Sequence, residues 1–156
     1  MVLTRSALTR RGMAGLLSVG LAVACAPRPA AAAALTVHKD PNCGCCAGWV
    51  DHLTRAGFSA TVVNQPDLTA IRARHGVPDA VLSCHTAVID GYFVEGHVPA
   101  EDIKRLIRLK PPALGLAVPG MPVGSPGMET PDGRREPYEV LLIMRDGSSS
   151  AFAHHS

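Results

Sequence analysis

Residues 35–56 read Leu35-Thr36-Val37-His38-Lys39-Asp40-Pro41-Asn42-Cys43-Gly44-Cys45-Cys46-Ala47-Gly48-Trp49-Val50-Asp51-His52-Leu53-Thr54-Arg55-Ala56. The first four residues form a short strand. Lys39 to Gly44 is a loop punctuated by Pro41 and Gly44. A helix is expected from about Cys45 to Ala56, because Cys46, Trp49, Val50 and Leu53 recur at three- and four-residue spacing on one face. Gly57 is a natural C-terminal stop. The junction of strand and helix carries Cys43-Gly44-Cys45-Cys46. Three thiols within one helical turn exceed what packing needs. Thiolate is both a soft metal ligand and the nucleophile of disulfide exchange, so the cluster either holds a soft metal or shuttles electrons.

The elements that follow extend the pattern. Phe58 to Asn64, with Val62-Val63, reads as a second strand. Pro66-Asp67 opens a second helix to about Arg74, with Gly76 after it. Thr86-Ala87-Val88-Ile89 is a buried-strand signature, Asp90-Gly91 a hairpin turn, and Tyr92-Phe93-Val94 its return strand. Pro99 starts a third helix. Glu101 and Asp102 lie early in it and Lys104, Arg105, Arg108 and Lys110 late, as the helix dipole favours. Its inner stripe is Ile103, Leu106 and Ile107. The order β-α-β-α-β-β-α predicts an α/β fold of thioredoxin-like layout, a central mixed sheet flanked by helices. Residues 111–135 hold six prolines and five glycines and are expected to be irregular and outside the core. Tyr138 to Met144 reads as a strand that Asp146-Gly147 turns back onto Ser150 to His154, so this C-terminal extension ends in a hairpin.

Residues 1–34 have the form of an export signal. Arg5, Arg10 and Arg11 make a basic start, Gly12 to Ala26 an apolar run of about 15 residues, too short to span a bilayer, and Ala30 to Ala34 supply an A-x-A cleavage site. Arg10-Arg11 is a twin-arginine pair, and Cys25 is an alternative lipidation site. Three parts are therefore expected: the signal over 1–34, a metal-binding core over 35–110, and an extension over 111–156 packed on that core. The whole chain of 156 residues carries a net charge of +2, and loss of four arginines and no acids with residues 1–34 takes it to −2. The mature part then has no basic face for nucleic acid and no transmembrane segment, and the periplasm is its expected location. Four mature cysteines in an exported protein normally suggest a disulfide framework. Adjacent Cys45 and Cys46 are poorly placed to staple distant segments.

The layout assigns the cysteines a place in space. Helix N-termini present free N–H groups and a positive dipole end, which favour thiolate over thiol. Cys43 and Cys46 have C-x-x-C spacing, suited to one shared metal ion or one disulfide. Cys45 must point another way, which suggests an open site or more than one ion. In thioredoxin-like folds the loop before the third strand lies beside the C-x-x-C turn and usually holds a threonine and a cis-proline. Here that stretch is Ser83-Cys84-His85-Thr86, with His85 where the proline would be. On that alignment Cys84 and His85 face the cluster.

Met121 and Met128 add two thioethers in an irregular loop. Thioether suits monovalent copper and serves zinc poorly. Thiolate, thioether and imidazole together point to copper(I).

Asn42-Cys43-Gly44-Cys45-Cys46, Trp49-Val50-Asp51-His52-Leu53, Cys84-His85-Thr86-Ala87, Glu95-Gly96-His97-Val98-Pro99-Ala100-Glu101-Asp102-Ile103 and the Met121 to Met128 loop resemble the CopG-type periplasmic copper-resistance proteins. The resemblance covers nearly all of residues 35–156. It implies a thioredoxin-like fold with a C-terminal extension. It implies copper bound by the thiolates of Cys43, Cys45, Cys46 and Cys84, with Met121 and Met128 as additional ligands. His85 joins the expected set by its place beside Cys84. Copper ions and periplasmic copper-handling proteins are the expected partners.

The remaining histidines read differently. His52, two turns after Cys45, is a solvated helix residue in preference to a ligand. His38 ends the first strand close to the cluster, and His75 and His97 read as loop residues. His154 and His155 are either frayed tail or ligands that fold back. The main reading is a copper-binding protein of copper resistance. The alternative is a thiol–disulfide oxidoreductase, which the C-x-x-C spacing favours and the surplus thiols oppose. A zinc or iron–sulfur site is a third reading, against which the methionine loop argues. Metal binding is expected in preference to turnover, and the combined case is oxidoreductase activity coupled to copper redox chemistry.

Overall fold

The computed structural model describes residues 32–156. The expected signal up to residue 31, with its arginine pair and Cys25, lies outside the described residues. Strand β1 (Ala34–Lys39) leads into helix α1 (Gly44–Arg55). Strand β2 (Ser59–Asn64), helix α2 (Thr69–His75) and a short 3-10 turn (Asp79–Val81) follow. Next come β3 (His85–Ile89), β4 (Tyr92–Glu95), α3 (Ala100–Leu109), β5 (Ala113–Ala117), β6 (Tyr138–Met144) and β7 (Ser149–His155). The strands form one mixed sheet in the order β2-β1-β3-β4-β5-β6-β7. The β1/β2 and β4/β5 pairs are parallel, and the other neighbours antiparallel. This mixed sheet with its three helices agrees with the thioredoxin-like α/β reading.

Local chemistry explains the element ends. Cys46, Trp49 and Leu53 are the buried residues of α1, the face expected from their spacing. Pro99 caps α3 in an extended conformation, and Glu101 and Asp102 occupy its first turn. Asp90 and Gly91 take φ values of 48° and 84°, so the β3–β4 turn has the left-handed pair that a two-residue hairpin requires.

The sheet separates two apolar clusters. Leu35 and Val37 of β1, Ala87 and Ile89 of β3, Val94 and Leu116 pack with Trp49 and Leu53 of α1 and with Ile103 and Leu106 of α3. Phe93 and Ala117, next along the same strands, pack instead with Val77, Val81 and Ile143. This period-two alternation across β4 and β5 puts apolar side chains on both faces of the sheet.

One expectation fails. Residues 113–117, expected to be irregular, form β5. It pairs with β4, and Leu116, Ala117 and Val118 are fully buried. The prolines at 111, 112 and 119 bound this segment without interrupting it. Ala113 to Val118 is a continuous apolar run, the pattern of a strand buried on both faces. Residue 115 sits so close to Phe93 that a Cβ would meet its carbonyl, so glycine here serves packing, not a turn. The expected hairpin of β6 and β7 is present.

Candidate metal centre

The centre forms where β1 ends, α1 begins, and the β3–β4 hairpin presents its open end. Asp40 shapes the approach: its carboxylate accepts the Asn42 N–H at 2.7 Å and its carbonyl the Cys43 N–H at 3.1 Å. Cys43 is the N-cap of α1, its sulfur accepting the Cys46 N–H at 3.3 Å. Cys43 and Cys46 are joined by a disulfide, one of the two uses their spacing allowed. Cys45 and Cys84 are free thiols. Cys45 Sγ lies 3.4 Å from Cys43 Sγ and 3.8 Å from Cys84 Sγ, and Cys46 Sγ lies 3.6 Å from the Cys84 carbonyl. The four sulfurs thus lie within 4.8 Å of one another. The sulfur-rich corner and the Ser83–Thr86 turn do meet.

A second set shares Cys84. Its sulfur lies 2.9 Å from His97 Nε2 and 3.7 Å from His85 Nδ1, so Cys84, His85 and His97 also converge within 4.8 Å. His97 is fully buried and not merely a loop residue. The Pro126 carbonyl, 2.8 Å from its Nδ1, can only accept. His97 Nδ1 therefore donates, and the Nε2 lone pair faces Cys84. The hairpin register carried this information. Strand pairing runs Ile89 with Tyr92 and on to Thr86 with Glu95, and two further steps put Cys84 opposite His97.

His85 is fully buried. Its ring packs on Trp49 at a centroid distance of 4.3 Å and edge-on to His97 at 5.1 Å. Burial, then the neighbouring His97, lower its pKa to about 3, so the ring is neutral. Its Nε2 has no hydrogen-bond partner, and such an orphaned buried nitrogen needs a reason. Burial and the adjacent Cys45 push the Cys84 thiol up to about 12. Cys84 is therefore protonated at neutral pH in the metal-free protein. Four converging sulfurs, with the imidazoles of His85 and His97 gathered on Cys84, are a donor set that fits a soft cation. Cys43 and Cys46 offer thiolates only after their disulfide is reduced.

The methionine loop is pinned over this corner. Ser83 Oγ donates to the Gly120 carbonyl, Pro126 accepts from His97, and Gly127 lies against the first turn of α1. A Cβ at Gly127 would stand 2.5 Å from the Cys45 carbonyl oxygen, and its φ is +86°. The contacts run through residues beside the thioethers: Met121 follows Gly120 and is 52% exposed, and Met128 follows Gly127 and is half-buried.

The other histidines go elsewhere. His52 Nε2 accepts the Ala100 N–H at 3.1 Å and so caps α3, a role its sequence position did not suggest. His38 lies 3.4 Å from Gln65 Oε1. His154 and His155 are held in β7, neither frayed nor folded back: His154 pairs with Glu139 at 3.2 Å, and His155 with Asp102 at 2.7 Å while stacking on Tyr138.

The family described as "Protein of unknown function, DUF411" matches residues 81–128, the span from the Cys84 turn through the methionine loop. No curated protein matches the chain. Two solved structures do. One, titled "Copper resistance protein copG- Form 1", is 51% identical, covers 80% of this chain and 98% of its own, and superposes with a TM-score of 0.75. The other, titled "Copper resistance protein copG- Form 2", is 50% identical, covers 80% of this chain and 99% of its own, and has a TM-score of 0.76. With half of the aligned residues identical along nearly the whole length of these proteins, the chain belongs to the CopG copper-resistance protein family.

Proposed function

We propose that this protein binds copper(I) in the periplasm and serves copper resistance by sequestering the ion or passing it to other copper-handling proteins. The convergence of the four cysteine sulfurs at the start of α1 carries this reading. Thiolates are the preferred donors for a soft monovalent cation, and imidazole and thioether complete a set that zinc would not require. Cys43, Cys45, Cys46 and Cys84 are the thiolate ligands, joined by His85 and His97, which converge on Cys84, and by Met121 and Met128 as additional ligands. Two donor sets sharing one sulfur suit more than one ion, with Cys84 as the bridge. The location follows from the signal reading of residues 1–34. Among the described residues no helix is long and apolar enough to cross a membrane.

Full binding requires the Cys43–Cys46 bond to open, taking two electrons from a thiol reductant and yielding two thiols. Cys84 must give up its proton as it takes the metal, so uptake weakens as pH falls. The test is metal analysis after anaerobic copper(I) loading of reduced protein. The wild type retains copper, and the Cys43→Ser, Cys45→Ser, Cys46→Ser triple variant does not; unchanged stoichiometry in that variant removes the reading. The disulfide also favours a second reading, a thiol–disulfide oxidoreductase, since two further thiols stand beside it. Insulin reduction that persists in a strict copper chelator supports that reading, and its absence under the same conditions opposes it.

A further inference from the structure

Beside the cysteines lies a charge pair that none of the chemistry so far uses. Glu95, the last residue of β4, is fully buried, and Arg72 of α2 reaches it at 2.7 Å. The pair spends its hydrogen bonds on one short stretch of backbone. Arg72 donates to the Ser83 carbonyl at 2.6 Å, and the Ser83 N–H donates to Glu95 Oε1 at 2.8 Å. Both polar backbone groups of the residue before Cys84 are thereby tied to the same two side chains. On the other side, the Thr86 hydroxyl donates to Glu95 Oε2 at 2.6 Å, and Arg72 Nε reaches Thr86 Oγ1 at 3.3 Å. The dipeptide Cys84-His85 is bracketed at both ends.

A buried ion pair is weak evidence for stability, because the desolvation cost rivals the attraction. Apolar residues would hold α2 to the sheet as well. The pair has four directed bonds to two residues flanking candidate ligands, which is the geometry of a support that orients ligands.

We infer that Arg72 and Glu95 are positioning residues that hold Cys84 and His85 in place for copper(I). The inference rests on the reading of Cys84 as a ligand. The experiment compares the reduced full chain with its Cys84→Ser, Glu95→Ala, Glu95→Gln and Thr86→Val variants. Three quantities are read: copper(I) affinity by competition with a chromophoric chelator, the ultraviolet thiolate-to-copper charge-transfer band, and the melting temperature of the metal-free protein. Glu95→Ala is expected to weaken copper(I) binding about 10–100-fold and to dim the band. Glu95→Gln, which can still accept from Ser83 and bond Thr86, recovers most of both. Glu95→Ala with the affinity and band of the wild type overturns the inference, whatever its melting temperature. If that variant does not fold, Thr86→Val decides by the same criterion, with a smaller loss expected. If Cys84→Ser binds like the wild type, the ligand reading fails and this inference falls with it. If Cys84→Ser is weakened and Glu95→Ala is not, only the positioning role fails.

Discussion

The sulfur-rich end and the C-terminal hairpin both carry side chains able to bind metal, and they use them in opposite ways. At the hairpin, His155 is matched to Asp102, His154 to Glu139, and His52, on the neighbouring face of α1, to the backbone of α3. Each imidazole already has a protein partner. At the sulfur end Cys84 Sγ stands 3.8 Å from Cys45 Sγ, 3.7 Å from His85 Nδ1 and 2.9 Å from His97 Nε2, ligand types themselves, and His85 Nε2 has no partner. The difference teaches that ligand chemistry marks a site only where the protein leaves it unsatisfied. Partnered histidines hold elements together, whereas the sulfur end gathers ligand types against one another and leaves His85 Nε2 unpaired.

Substitution at each end sharpens this contrast most. Loss of an outer supporting residue typically costs a metal site about 10–100-fold in affinity, so Cys84→Ser is expected to weaken copper(I) binding by at least that much. A His154→Ala, His155→Ala double variant is expected to bind as the wild type does. Competition titrations of both variants measure it, and a hairpin variant as weak as Cys84→Ser would break the comparison.

Two glycines offer the next test. Gly127 and Gly133 both have positive φ, but a Cβ at Gly133 meets nothing within 4 Å. Gly133→Ala should cost about 1 kcal/mol from backbone strain alone. Gly127→Ala adds a collision with α1 and should cost about 2–3 kcal/mol, with weaker copper retention besides. Denaturant titrations read the difference, and equal costs would show that the methionine loop does not rest tightly on the cluster.

Acid should also act on the sulfur end. The native His85 protonates only near pH 3, whereas an unfolded histidine does so near 6.5. The unfolded chain therefore binds the proton first, and the stability of the metal-free protein is full above about pH 6.5 and falls as pH drops toward 3. His85→Asn should flatten that fall, and denaturation curves across this range with an unchanged slope would contradict it. The smallest effect belongs to the hairpin: His155→Ala should lower stability by about 1 kcal/mol and leave copper affinity alone.

Much of this was legible in the chain. Helix α1 and the β3–β4 hairpin have strong local signals, a three-to-four spacing and an Asp-Gly turn, and these elements carry the four cysteines to one place. Strand β5 was hidden because prolines on both sides of Ala113–Ala117 outweighed a short apolar run that only the sheet could confirm. His97 was hidden for a different reason: its role depends on register, and alternation along one strand gives no register until the partner strand is counted back from the turn. The capping role of His52 depends on how α1 crosses the start of α3, a tertiary contact with no local pattern. The disulfide between Cys43 and Cys46 was one of two outcomes their spacing permitted, and spacing alone does not choose.

The most direct test is X-ray absorption at the copper edge of the reduced protein after anaerobic copper(I) loading. The account predicts a first shell dominated by sulfur in the wild type, which loses sulfur in Cys84→Ser and is unaltered in the His154→Ala, His155→Ala variant. A shell of nitrogen and oxygen alone, or a sulfur shell indifferent to Cys84, would contradict it.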